Sequence, residues 1–337
     1  MSFVRWWRSQ PGPTALPSED LGARVEGILK GESACIAQAL ACVEDTRAEA
    51  VPVQLQLLAR LHQATPPERA VVGLTGPPGA GKSSLASALI RHWLDEGLGV
   101  GMLAVDPTSR RSGGALLGDR ARLRLPPSER VFVRSMATQD QLGGLAPATR
   151  AAVVVLRAAF DWTLVETVGV GQSEVDIETV AESVVLVLQP GSGDTLQFMK
   201  AGILEIPDVL VVHKWDLGAV AERTRADLES ILAIAPDAAP EWRPPVLGVS
   251  AQTGEGVAEL VSALCEHQDY LAHSCELARR RRASRVAWAL ELFRLRYGSL
   301  GLERLGGLEA AERLAAECPG TGLDAFSELA NRAGFDA

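Results

Sequence analysis

The stretch Gly76-Pro-Pro-Gly-Ala-Gly81-Lys82-Ser83 carries the residue types that bind a polyphosphate. Its glycines let successive backbone N–H groups turn toward one anion, and a helix starting directly after them adds the positive end of its dipole. Lys82 is placed to reach β- and γ-phosphates, and the Ser83 hydroxyl to ligate Mg²⁺. An apolar run, Ala70–Thr75, precedes the loop and an amphipathic run, Ser84–Ile90, follows it. Gly76, Pro77, Pro78, Gly79, Ala80, Gly81, Lys82, Ser83 and Ser84 are thus the expected phosphate cradle. A glycine-rich turn that binds nothing would leave the Lys82-Ser83 pair without a reason.

A second group reads the base. Val209-Leu-Val-Val-His213-Lys214-Trp-Asp216 ends an apolar run with K-x-D. A carboxylate at Asp216 accepts both the N1 and N2 hydrogens of guanine, which adenine cannot offer. His213 stands where GTPases carry Asn, and it can donate one of the same hydrogen bonds from a different shape. Ser250-Ala251-Gln252 follows the next apolar run and resembles the loop whose backbone amide meets guanine O6. A surface Lys-Asp turn is the plain alternative for either segment alone.

Three acids fall near the same place. Glu166 closes Leu164-Val-Glu166, three residues before Gly169, where GTPases carry D-x-x-G. Asp106 ends Leu103-Ala-Val-Asp106, and Asp119 follows in Gly118-Asp119-Arg120. With Ser83 these carboxylates suit Mg²⁺, which prefers oxygen ligands and retained waters. Any one of them is alternatively a helix cap or loop acid. Gln172 is open to two readings, orienting a water or capping backbone.

Elements must bring these segments together. Apolar runs at Val71–Thr75, Val100–Val105, Val131–Ser135, Thr163–Glu166, Val184–Leu188, Val209–Val212 and Val246–Val249 read as strands buried on both faces. Helical spacing fills the intervals at Ser84–Leu94, Pro147–Phe160, Thr195–Leu204, Ala219–Ala233 and Gly256–Glu266. The alternation predicts an α/β, doubly wound, mostly parallel sheet with ligand groups at the carboxyl ends of its strands. Helices precede it, with Leu21, Val25, Ile28, then Ile36, Leu40, Val43, then Leu55, Leu58, Leu61 at helical spacing. Helices follow it at His273–Arg296, Leu308–Ala316 and Leu323–Ala333. The first of these carries Arg279-Arg-Arg-Arg282, a solvated face or a surface for an acidic partner.

The whole chain narrows the class. Its 337 residues allow one large domain with appendages or two domains. A net charge of −9 removes any global electrostatic case for binding nucleic acid. No apolar run approaches the roughly 20 residues of a membrane span, so no membrane partner is expected. Cys35, Cys42, Cys265, Cys275 and Cys318 are scattered without a CxxC pair, which fits packed thiols in the cytoplasm. The start of the chain is rich in arginine and poor in acids, as transit peptides are, but Pro11, Pro13 and Pro17 favour a short disordered tail.

Together these segments resemble the MeaB/ArgK family of P-loop GTPases, chaperones of adenosylcobalamin-dependent acyl-CoA mutases such as methylmalonyl-CoA mutase. The string Glu166-Thr-Val-Gly-Val-Gly-Gln-Ser-Glu174 is the most specific, supported by Val105-Asp-Pro107, Arg134-Ser-Met-Ala-Thr138, Leu142-Gly-Gly-Leu145 and Pro190-Gly-Ser-Gly-Asp-Thr-Leu-Gln197. The resemblance implies a homodimeric GTPase that uses GTP/GDP and Mg²⁺, has a slow intrinsic rate, and is stimulated by the mutase. It implies that GTP state gates loading of intact adenosylcobalamin and release of damaged cofactor. It places Lys82, Asp106, Asp119 and Glu166 around the reacting phosphate, metal and water, Gly169 at the γ-phosphate, and Asp216 on guanine. It divides the chain into a tail at 1–18, a helical segment at 19–66, the GTPase domain at 67–269 and a helical dimerisation arm at 270–337. The arm's expected apolar stripe is Leu277, Val286, Leu290 and Phe293.

The chain departs from the family at His213, at Thr108-Ser109-Arg110 after Asp-Pro, and at Gln139-Asp140-Gln141. Two other classes compete. A P-loop kinase or transport ATPase needs an arginine-bearing lid and prefers ATP, which Asp216 opposes. A metallochaperone GTPase needs a His- or Cys-rich site, and five scattered histidines do not provide one. A nucleotide-binding module that does not hydrolyse leaves the same motifs.

Overall fold

The computed structural model describes residues 21–45, 47–107, 123, 125, 128–138, 147–167, 177–191, 206–234 and 242–335. The expected tail at 1–18, the helix at Thr195–Leu204, Asp119, Gly169 and Gln172 lie outside them. The described chain falls into two compact units. One comprises residues 70–146 and 161–281, the other residues 1–69, 147–160 and 282–337.

The first unit holds the sheet. Its strands are β1 Ala70–Thr75, β2 Val100–Pro107, β3 Val131–Thr138, β4 Trp162–Glu166, β5 Ser183–Leu188, β6 Val209–His213 and β7 Val246–Val249. Their order is β3-β2-β4-β1-β5-β6-β7, and every neighbouring pair is parallel. The chain winds outward from β1 in both directions, so β1 marks the switch point where a doubly wound sheet opens a crevice. Except for β7, the strands are slightly longer than the apolar runs that announce them. β1, β5 and β6 are buried along their whole length, which is why they read as continuous apolar runs.

Helix α4, Lys82–Asp95, crosses from β1 to β2. Its Leu85, Leu89 and Trp93 face the core with Val72, Leu74, Leu164 and Val185, and Trp93 stacks on Trp162 with ring centroids 4.7 Å apart. Helix α6, Ala219–Ile234, covers β6 and β7 through Ala221 and Leu228. Helix α7, Val257–His273, buries Leu260, Leu264, His267 and Leu271.

The arginine run has an intramolecular destination. The guanidinium of Arg280 donates to both carboxylate oxygens of Asp208, each at 2.8 Å, and Arg281 donates to Glu182 at 2.6 Å. The acidic partner of these two arginines is thus the amino-terminal edge of β5 and β6. Asp208 also accepts the Val184 N–H at 2.8 Å, and His267 Nε2 lies 3.2 Å from it, off the hydrogen-bond direction. Burial pushes the Asp208 carboxyl up, but His267 and Arg280 outweigh it and hold the pKa below the usual carboxylate value.

The second unit is helical. It contains α1 Leu21–Leu29, α2 Ser33–Val43, α3 Val51–Ala64, α5 Pro147–Ala159, the greater part of α8 Glu276–Arg304, α9 Leu308–Glu317 and α10 Gly322–Arg332. Ile28, Ile36, Leu40, Leu57, Leu58 and Leu61 are its fully buried N-terminal core, and α5 packs on α1, α2 and α3. Helix α8 is interrupted by left-handed Gly298. Of the expected stripe, Leu290 and Phe293 are buried and Leu277 and Val286 half-buried. Phe293 packs on Tyr297 and Phe335 of its own unit. Among the described residues of this unit, the large apolar side chains that remain exposed are Leu295 (58%), Leu300 (58%) and Leu308 (38%).

Candidate nucleotide site

The site lies in the sheet unit at the carboxyl ends of β1, β4 and β6, and its loop is shaped by two glycines. Gly76 leaves β1 with φ 136°, and a Cβ there would sit 2.1 Å from the Val187 carbonyl oxygen. Gly81 caps α4 with φ 96°, and a Cβ there would meet the His213 imidazole at 2.3 Å. No other residue type fits either position. The first turn of α4 carries no acidic residue, so nothing on it neutralises the positive helix end.

The carbonyl side of the loop is fastened by three side chains. Lys82 Nζ donates to Gly76 O at 2.6 Å and Pro77 O at 3.1 Å. Lys214 Nζ donates to Gly79 O at 2.9 Å, and His213 Nδ1 to Ala80 O at 2.9 Å. In a trans peptide the N–H points opposite to its carbonyl, so holding Ala80 O against His213 turns the Gly81 N–H the other way. Pro77 and Pro78 have no N–H to offer. They stiffen the loop, and the backbone donors an anion would meet begin at Gly79.

On the metal side, Ser83 Oγ donates to Glu166 Oε1 at 2.6 Å. Glu166 is the last residue of β4, and its exit is fixed by Thr167, whose N–H donates to Leu74 O at 3.0 Å and whose hydroxyl meets that of Thr75 at 3.2 Å. The backbone of Asp106 lies one residue before the end of the adjacent strand β2; its side chain, like Asp119 and Gly169, lies outside the described residues. No group of three His, Cys, Asp or Glu converges among the described residues. The Ser83–Glu166 oxygen pair fits Mg²⁺, which is held by one or two protein oxygens plus substrate phosphates and water.

On the base side, Lys214 adopts a left-handed backbone with φ 57°. That bend carries the chain into the turn Trp215–Leu217 and leaves Asp216 exposed. Ser250 Oγ donates to Asp216 Oδ1 at 2.5 Å. This bond is the main reason the Asp216 carboxyl sits below its usual pKa, so it is ionised at neutral pH. The Ala251 N–H donates to His213 Nε2 at 3.4 Å, and Gln252 is exposed next to them. Gly76–Ser84, Glu166, His213, Lys214, Asp216, Ser250 and Ala251 are therefore linked by one set of contacts.

Gln189 was not among the expected residues. Its Oε1 accepts from Lys214 Nζ at 2.9 Å, which holds that lysine over Gly79. The available signal was its place directly after the apolar run Val184–Leu188, where a parallel sheet presents ligand groups.

A glycine-rich loop at a helix start, a serine–glutamate oxygen pair and an ionised carboxylate thus stand together at the carboxyl ends of the strands. Comparisons with known proteins identify the family. The family model described as "Methylmalonyl Co-A mutase-associated GTPase MeaB" matches residues 36–297. The Mycobacterium tuberculosis protein named "Probable GTPase Rv1496" is 42% identical over 269 residues, covering 78% of this chain and 80% of its own. The mouse protein "Methylmalonic aciduria type A homolog, mitochondrial" is 37% identical over 279 residues, covering 79% and 67%. A crystal structure titled as a LAO/AO transport system kinase superposes with a TM-score of 0.68 at 27% identity, covering 94% of this chain and 99% of its own. The chain belongs to the MeaB family of methylmalonyl-CoA mutase-associated GTPases.

Proposed function

We propose that the protein is a Mg²⁺-dependent GTPase that serves an adenosylcobalamin-dependent acyl-CoA mutase, gating loading of intact cofactor and release of damaged cofactor. The observation that carries this reading is the Asp216–Ser250 pair, an ionised guanine acceptor tied into the same contact set as the phosphate loop. In this reading the Lys82 ammonium leaves the Gly76 and Pro77 carbonyls to meet the γ-phosphate charge that grows in the transition state. Ser83, Glu166, Asp106 and Asp119 hold Mg²⁺, which supplies charge neutralisation on the phosphates. Lys214 and Asp216 hold the base, with Ala251 and Gln252 beside it.

The intrinsic rate is slow and the mutase raises it. The protein acts in the cytoplasm as a homodimer; Leu295, Leu300 and Leu308 are exposed apolar side chains available to that interface. No described helix is long and apolar enough to cross a membrane, and all five cysteines are free thiols, as a reducing compartment requires.

Two measurements test it: phosphate release from GTP against ATP with and without Mg²⁺, and the same assay with purified methylmalonyl-CoA mutase added. Faster release from GTP, and stimulation by the mutase, are expected. ATP used as well as GTP, or no response to any acyl-CoA mutase, would count against it. The kinase title of the structural relative supports a second reading, phosphoryl transfer to a protein or small molecule. Label from γ-labelled nucleotide appearing in anything but phosphate would favour it.

A further inference from the structure

We propose that His213 is a positioning residue that clasps the phosphate loop to the Ser250-Ala251 turn through a single neutral tautomer, so that guanine nucleotide binds only while this imidazole is uncharged; the nucleotide half of the claim rests on the reading above. His213 ends β6 and is 4% exposed. Nδ1 lies 2.9 Å from Ala80 O. A carbonyl only accepts, so Nδ1 carries the hydrogen. Nε2 lies 3.4 Å from the Ala251 nitrogen. A backbone N–H only donates, so Nε2 presents its lone pair. Both ring nitrogens are committed, and the tautomer is fixed by the two loops it joins. The ring also lies against Gly81, where a Cβ would be 2.3 Å from Nδ1.

An asparagine amide offers a donor and an acceptor that do not titrate. Imidazole makes its two bonds conditional on a proton. Protonation at Nε2 would set one N–H against the Ala251 N–H and bury a charge. The charged groups on the elements packed around it are Lys214 and Asp216 after its strand, Lys82 in the phosphate loop and Glu255 in the turn after Ser250. Burial is the largest influence and lowers the His213 pKa, Lys214 lowers it further, and the Ala80 contact and Asp216 only partly offset this. The neutral clasp is therefore the form at neutral pH. It is lost as pH falls through the lowered value. Because only the neutral form binds, affinity falls by about one decade per pH unit below that midpoint, and bound nucleotide pushes the midpoint down in return.

The test uses the full chain with ¹⁵N-labelled histidine, in which five imidazoles need assignment. His213→Asn, or His213→Gln if that folds better, identifies the signal by its loss. At neutral pH without nucleotide, His213 is expected as the neutral Nδ1–H form, titrating below the ordinary value of about 6.5. Adding GDP should lower the midpoint further. Calorimetry of GDP from about pH 8 downward should then show a loss of affinity in the natural protein beyond that in the Asn variant, which shares the titration of GDP's own phosphate. An Nε2–H or charged ring at neutral pH, or identical pH profiles in the two proteins with GDP still bound, would overturn the clasp alone. No GDP binding by the natural protein at any pH would overturn the nucleotide reading, and the tautomer would still decide the clasp.

Discussion

The sheet unit has two polar clusters built from nearly the same residue types, one at each end of β5 and β6. At the amino-terminal end, Ser183, His267 and Asp208 stand in series: Ser183 Oγ is 2.7 Å from His267 Nδ1, and His267 Nε2 is 3.2 Å from Asp208. The residue types are those of a serine hydrolase triad, but the two ring nitrogens are exchanged relative to it, and Ser183 and His267 are 0% exposed. Gln268 and Arg280 occupy much of what remains. At the carboxyl end, His213, Asp216, Ser250 and Ser83 are also hydrogen-bonded, but Ser83, Ser84 and Asp216 are exposed and the loop's carbonyls are fastened by side chains. Chemistry needs access and spare hydrogen-bonding capacity. The first cluster lacks access and holds the fold; the second is open to solvent.

This contrast is broken most strongly at Lys82. Lys82→Ala should lower the rate of GTP hydrolysis by about 10² to 10³, the usual cost of losing a fixed transition-state charge partner, with little change in thermal stability. A rate within a few-fold of the natural protein, in a phosphate-release assay, would move the chemistry elsewhere.

The reverse pattern is expected at the other cluster. Asp208→Ala removes the buried carboxylate that Arg280 and His267 share, leaving Arg280 with Glu276 at 3.4 Å as its acid, and should cost about 3 kcal/mol in denaturant unfolding, while the folded fraction keeps its affinity for GDP. The pH dependence has a definite sign. The folded carboxyl lies below its ordinary value, so its contribution is present above about pH 4 and is lost as pH falls through the folded value. The natural protein should therefore lose stability in acid more steeply than the variant.

Glu166→Gln tests the oxygen pair. It should raise the Mg²⁺ concentration for half-maximal hydrolysis by about tenfold, roughly 1.4 kcal/mol, and leave GDP affinity without Mg²⁺ nearly unchanged. An unaltered Mg²⁺ titration would remove Glu166 from the metal. The smallest effect is at Gln189. Gln189→Ala removes one neutral partner of Lys214 and should weaken GDP by about 1 kcal/mol or less, measured calorimetrically.

The middle of the sheet was legible in the sequence because both faces of β1, β5 and β6 are buried, which leaves unbroken apolar runs. The site's backbone was legible because the glycines and the K-x-D turn sit directly after those runs. What periodicity could not show is long-range pairing. Arg280 finds Asp208 across 72 positions, and nothing local to the arginine run names its partner. The expected break between helices also moved. Helix α7 continues past Glu266 to His273 because His267 and Leu271 reach the core, and the interruption falls instead at left-handed Cys275. Likewise the identity of His213 was plain, but its tautomer follows only from Ala80 and Ala251 lying on opposite sides of the ring.

The central claim is that the exposed end of this sheet recognises guanine through Asp216. Calorimetric titration of GDP and ADP into the natural protein and into Asp216→Ala tests it most directly. GDP should bind at least about tenfold tighter than ADP, a difference of roughly 1.4 kcal/mol, and the substitution should erase that difference. Equal affinities for the two nucleotides in the natural protein would contradict the account.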